Sequence, residues 1–462
     1  GRAARGLTPR PRRATRRGGL AATAGMATID CMALRPALLF AAALALPGTL
    51  ASQHHEPFED PPINYSATVP VDAVSRLNAA AAKQAEEIRG WPARRRLRWL
   101  LEQLQVPVES QLLVFGKTSL QRALISPTNP RALYFSDEAY VGWVPGGAVE
   151  ITVFDPVLGA TFYVVDAQQP ETAPLIARSP ECLLCHAHHD HTPSLRTRSV
   201  FPDAAGEPLA GSGSANVEPA TPLAERWGGW YVTGRTAGLR HRGNVTGQTT
   251  EDFTGDAGLR GEVRATLPPG PDGARYPRAT SDIVALLMHD HQVHVHNVLC
   301  AANQQARIAL FRWPAMRELL QLPADSAPAG SCLVVLNSQA EKVIAALLCQ
   351  GEAAFPAGGV QGDGAFEKVY AATRRADARD RSLRDLDLRT RLFKYRCSPL
   401  IYARTFEAMP KELRTVVLRR LSVGLRAAQP APEFAHLPAD ERQAIHEILT
   451  ATLPELPADW GK

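Results

Sequence analysis

Between Val106 and Asp166 the apolar positions come in short runs rich in β-branched and aromatic residues: LLVF (112–115), ALYF (132–135), AYVGWV (139–144), VEITVF (149–154) and ATFYVVD (160–166). Pro145-Gly146-Gly147 and Asp155-Pro156 punctuate them as turns, so the pattern predicts an antiparallel meander. Residues 71–104 follow a helical period, and from Ser281 onward that period returns over 281–311, 333–350, 366–374, 383–394, 399–427 and 438–449. Between these blocks, 167–275 is dense in Pro and Gly and offers one further strand, Gly229–Thr233. The sum is an α+β fold, an antiparallel β-meander core followed by a helical C-terminal half. The chain divides into an upstream leader (1–31), a signal-peptide-like segment (32–51), an arm and helical N-terminal segment (52–105), a β-rich region (106–275) and a helical region (276–462).

Composition changes this picture only at the N-terminus. The formal charge of +5 suggests a polyanionic partner. However, residues 1–51 hold eight arginines and a single acid, Asp30, and the rest of the chain is left at 43 basic against 45 acidic residues. Nucleic acid is therefore not an expected partner. From Met32, one of two candidate starts with Met26, the text MALRPALLFAAALALPGTLAS places Arg35 before an apolar run and then small residues. That is the layout of a secretory signal peptide, and the apolar run is too short to span a bilayer. The expectation is a periplasmic or secreted chain with no transmembrane segment once processed.

Residues 182–186 read Cys-Leu-Leu-Cys-His, the C-x-x-C-H attachment site of a c-type haem. Two thiols at i and i+3 suit the two vinyl groups on one porphyrin edge, and the adjacent His186 suits the proximal face of the iron. Export and covalent haem attachment belong to the same compartment, so the two features agree. Four more cysteines, Cys300, Cys332, Cys349 and Cys397, are buried thiols or a Cys300–Cys397 bridge; a continuous helix would hold Cys332 and Cys349 about 25 Å apart. His188, His189 and His191 follow the motif, which keeps a zinc or copper module open as an alternative.

A second histidine cluster, HDHQVHVH (289–296), falls inside the helix predicted from Ser281. On a helical wheel Ile283, Val284, Leu287, Val295 and Val298 form one apolar face that carries His291 and His294. His289 and His296 share another side. An apolar face carrying a histidine is the expected wall of a haem pocket, so His291 leads as distal ligand, with His294, His296, His241 and Met288 as alternatives. Trp227 and Trp230 are candidate porphyrin contacts, and Arg240 and Arg242 candidate propionate partners. Residues 374–396, with nine basic and four acidic residues, read as an ion-paired helix surface or a docking patch for a redox partner protein.

PPINY (61–65), residues 112–147, the CLLCH, RWGGWYVTG (226–234) with HRGN (241–244), HDHQVHVHN and LRDLDLRTRLFKYRCSPLIY (383–402) resemble a family of exported proteins of environmental bacteria described as cytochrome-c-domain proteins. The resemblance covers nearly all of 57–460. It implies one covalent haem c and a redox role without a defined reaction. The family pattern of an acid, His and Gln followed by His-Asn maps onto Asp290, His291, Gln292, His296 and Asn297; it supports His291 and promotes His296 over His294. The expected function is electron transfer. An open distal site would instead suit a peroxidase or another small-molecule redox enzyme, with the distal His as acid–base.

Overall fold

The structure, a computed structural model, describes residues 56–166, 174–187, 192–253, 259–268, 270–271 and 273–460. The leader, the signal-peptide-like segment, His188, His189 and His191 lie outside the described residues.

The meander forms as the sequence pattern predicts. Strands β1 (Leu112–Val114), β2 (Arg131–Phe135), β3 (Ala139–Trp143), β4 (Val149–Asp155), β5 (Gly159–Val165) and β6 (Ala177–Arg178) pair in that spatial order, each antiparallel to the next. The register Leu133↔Gly142, Gly142↔Glu150, Tyr140↔Thr152 and Thr152↔Phe162 decides what each face carries. Side chains alternate across a strand. One face therefore presents Arg131, Leu133, Phe135, Tyr140, Glu150, Thr152, Phe154 and Phe162. The other presents Ala132, Tyr134, Val141, Trp143, Ile151, Val153 and Tyr163.

The second face is covered by the N-terminal helices α1 (Ala73–Ala81), α2 (Ala85–Gly90) and α3 (Ala93–Gln103), whose Val74, Ile88, Leu97, Leu100 and Leu101 join that core. Asp72 ties helix to sheet. It caps α1 through Ser75 N at 2.8 Å and accepts from Thr161 Oγ1 at 2.8 Å and Tyr163 Oη at 2.5 Å.

The first face is covered by α5 (Ile283–Leu319), which starts on an Asp282 N-cap, and by the loop that holds the short helix α4 (Leu183–His186). Helices α6 (Gly330–Leu347), α7 (Ala365–Ala371), α8 (Arg404–Glu407), α9 (Lys411–Arg426) and α10 (Ala439–Thr452) follow. The α5 residues Leu299, Ala302 and Ala306 bury against Leu336, Val343, Leu347, Leu413, Leu421 and Ile445 of these helices. Residues His54–Lys462 form one compact α+β unit. None of its helices among the described residues is long and apolar enough to cross a membrane.

Two predicted elements are absent. Residues 383–394 form turns instead of a helix, because Asp387 Oδ1 accepts from the backbone of Arg389 and Thr390 at 2.7 Å each and Asp385 Oδ2 accepts from Ser382 N at 3.0 Å. Residues 229–233 lie along the outer edge of β1, with Phe115 N on Gly229 O and Tyr231 N on Leu113 O, but positive φ at Trp227, Gly229 and Gly234 prevents a regular strand. The six described cysteines are all free thiols, so Cys300 and Cys397 are not bridged, and Cys332 and Cys349 lie near opposite ends of the continuous α6.

Candidate haem cleft

The C-x-x-C-H segment sits over the first sheet face at the rim of a cleft of about 250 Å³. Cys182, Cys185 and His186 line it with Arg131, Tyr140, Glu150 and Phe162 from the sheet. Trp230 and the α5 residues His289 and Val293 close it, and Leu120 and Leu184 make an exposed apolar rim. Cys185 is exposed and Cys182 half-buried, with its thiol pushed up by burial and held down in part by Ser179.

His186 is fixed from two sides. Its ring lies 4.8 Å from that of Phe162 at 31°. Its Nδ1 is 2.6 Å from the carbonyl of Ser194. A carbonyl only accepts, so Nδ1 carries the proton and Nε2 keeps its lone pair. This is the tautomer that a ligating histidine needs. Burial holds the imidazole below its ordinary pKa, which also favours the neutral form. The loop is pinned to α5 by Asn297, whose amide accepts from Leu195 N and donates to Leu195 O, both at 2.9 Å.

The cleft also holds charge. Arg131 pairs with Glu150. Burial pushes the Glu150 carboxyl up, but Arg131, with hydrogen bonds from Gln121 and Ser119, brings it below the usual range. Arg196 Nε and Arg131 Nε are buried without hydrogen-bond partners. An anionic group entering the cleft would meet these guanidiniums.

Among the expected contacts, Trp230 lines the cleft and donates from Nε1 to Arg198 O at 2.8 Å. The other three do not line it. Arg240 pairs with Glu262 at 2.8 Å on an exposed two-residue ladder, and Arg242 lies over the Phe201 ring and donates to Glu225 O. Trp227 is fully buried, edge-on to His241.

The expected distal ligands are likewise elsewhere. His291 points to the opposite side of α5, where Nδ1 donates to Glu352 Oε1 at 2.5 Å and Nε2 is 2.8 Å from Ser398 Oγ. This Ser–His–Glu chain has the order of a nucleophilic relay, but Ser398 has zero exposure, so no substrate reaches its hydroxyl. His296 faces the sheet with both nitrogens engaged. Nε2 donates to Asp137 O at 3.0 Å, Nδ1 accepts from Tyr140 Oη at 2.8 Å, and the ring stacks on Phe154 at 4.2 Å. His294 meets Glu218 at 3.2 Å near the surface, Met288 packs in the core, and His241 accepts from Gly243 N. The histidine of α5 that reaches the cleft is His289, together with Val293 one turn on. The wheel already put His289 and His296 on one side; the 289/293/297 stripe, ending in the loop-binding Asn297, was the available signal for the cleft.

No protein-family model, no curated protein and no solved structure matches this chain.

Proposed function

We propose that this chain is an exported monohaem c-type protein that carries single electrons, with thioether bonds at Cys182 and Cys185 and His186 as the proximal ligand. The carrying observation is the His186 Nδ1–Ser194 carbonyl bond beside two unbridged motif thiols. A redox dithiol has no need of a histidine locked as an Nε2 donor, and a zinc knuckle needs its donor atoms gathered together, whereas among the described residues the donors of Cys182, Cys185 and His186 belong to no such cluster. The bound haem supplies a one-electron iron couple. The chain's own residues hold and orient it: Phe162 fixes His186, Trp230 and Tyr140 offer flat apolar walls, and Arg196 and Arg131 offer guanidiniums to propionates.

Electron transfer is favoured over small-molecule catalysis by the shape of the site. The cleft opens to solvent beside the exposed Leu120 and Leu184, so a haem held by Cys182 and Cys185 would present an edge there. An exposed edge with an apolar rim suits outer-sphere exchange with a redox partner protein. The test is expression with a c-type maturation system, followed by a haem stain after denaturing electrophoresis and a pyridine haemochrome spectrum. Covalent haem that is lost in a Cys182→Ala/Cys185→Ala double variant is the expected result; a chain that emerges without haem refutes the reading.

A further inference from the structure

His289 is buried at 5% exposure among three aromatic rings, with centroids 5.4 Å away at Phe135, 5.8 Å at Tyr140 and 5.9 Å at Trp230. Those contacts fix the ring, yet it makes no hydrogen bond among the described residues, and its Nδ1 is a buried atom without a partner. A buried polar group left unpaired is costly, and His289 lies in the wall of the cleft that carries the C-x-x-C-H. Beside it is a second unpaired atom, Asp290 Oδ1, 3.9 Å from His289 Nδ1. The other carboxylate oxygen of Asp290 is held by Arg226 Nη1 at 3.2 Å, with both side chains buried. At 3.9 Å no hydrogen bond joins them; His289 Nδ1 and Asp290 Oδ1 are an unmade donor–acceptor pair, and the tautomer that would complete it leaves Nε2 with the lone pair a metal needs. The rival histidines are spent: His291 on Glu352 and Ser398, His296 on Tyr140 and Asp137.

We infer that His289 is the second axial ligand of the haem iron, with Asp290 as its outer-sphere carboxylate, an assignment that rests on the haem reading above. It makes the site a bis-imidazole centre whose two ligands come from the motif loop and from α5.

The test uses the matured, haem-loaded full chain. Ferric wild type is expected to be six-coordinate and low-spin, and the ferrous form to resist CO. His289→Ala should turn high-spin, bind CO, and return to low-spin with added imidazole, while His291→Ala and His296→Gln keep the wild-type spectrum. His289→Met, which conserves bulk, should remain low-spin with a thioether-type spectrum and a raised reduction potential. Asp290→Asn should keep the spin state and raise the potential. A low-spin spectrum that survives His289→Ala unchanged, or a wild-type protein that is already high-spin and binds CO, overturns the assignment while leaving the haem reading intact. Absence of covalent haem from wild type overturns both, and the haem stain separates that case from the others.

Discussion

Acid should weaken this fold through His296 well above the pH at which carboxylates are usually blamed. Burial pushes His296 down to about 3 from an ordinary 6.5, against the opposing hydrogen bond to Asp137 O and with a further push from His291. Of the groups facing it, the Asp137 carbonyl favours an imidazolium, but burial among the Tyr140 hydroxyl and the Phe154 ring outweighs it. A depressed histidine is neutral in the folded chain and protonated in the unfolded one, so its contribution is intact above about pH 6.5 and is lost as the pH falls. At about pH 4.5, two units below the unfolded value, the loss is about 3 kcal/mol. Below pH 3 it approaches about 5 kcal/mol. Against a total of roughly 5–15 kcal/mol this is a large share. His241, pushed down to about 4 by burial, acts in the same direction. The assay is urea denaturation of wild type and His296→Gln at about pH 7 and pH 4.5. Glutamine removes the titration at this position, so the pH-dependent part of the loss should be smaller in the variant by about 3 kcal/mol. Equal losses in the two proteins would show that His296 titrates normally in the folded state and would refute the reasoning.

Three other outcomes are expected. His291→Ala deprives the part-buried Glu352 carboxylate of its hydrogen-bond partner and should cost about 1–3 kcal/mol by denaturant midpoint, with no change in a haem spectrum. Asp72→Ala removes the α1 cap and strands the Tyr163 hydroxyl in the core, Thr161 keeping its bond to Val153 O, for about 2–3 kcal/mol, whereas Asp72→Asn should cost less. In haem-free chain, iodoacetamide followed by peptide mapping should mark Cys185 first and Cys182 more slowly. Cys300 and Cys397, each pushed up to about 12 by burial, should be marked only after denaturation; fast native labelling of either would contradict their burial.

The meander was legible because each strand pairs with its chain neighbour, so local alternation and turn residues carried the whole topology. The C-x-x-C-H stands out in the sequence because its residues are contiguous, and the structure places Cys182, Cys185 and His186 together at the cleft. What failed was partner choice. Helix α5 is buried on nearly every side between Ile283 and His296, so the apolar face on the wheel did not single out the face turned to the sheet. His291 and His294 sit on that apolar face, and it turns toward Glu352, Ser398 and Glu218 rather than toward the cleft. Arg131, Glu150 and Arg196 were missed for a related reason: the cross-strand register brings the first two together, and Arg196 joins them from the loop beyond the motif. The 383–394 error has a local cause, since aspartates spaced for helical ion pairs bonded their own backbone.

Helix α5 carries imidazoles into three different surroundings within eight residues: His289 to the cleft, His291 to the C-terminal helices, His296 to the sheet. Each residue step turns a helix by about 100°. A rotation of α5 by one such step would pull His291 off Glu352 and Ser398, His296 off Tyr140 and Asp137, and Asn297 off Leu195 all at once. The helix is thus indexed like a key in a lock, and rolling or ratcheting of α5 is not open to this protein as a way of signalling the state of its cleft.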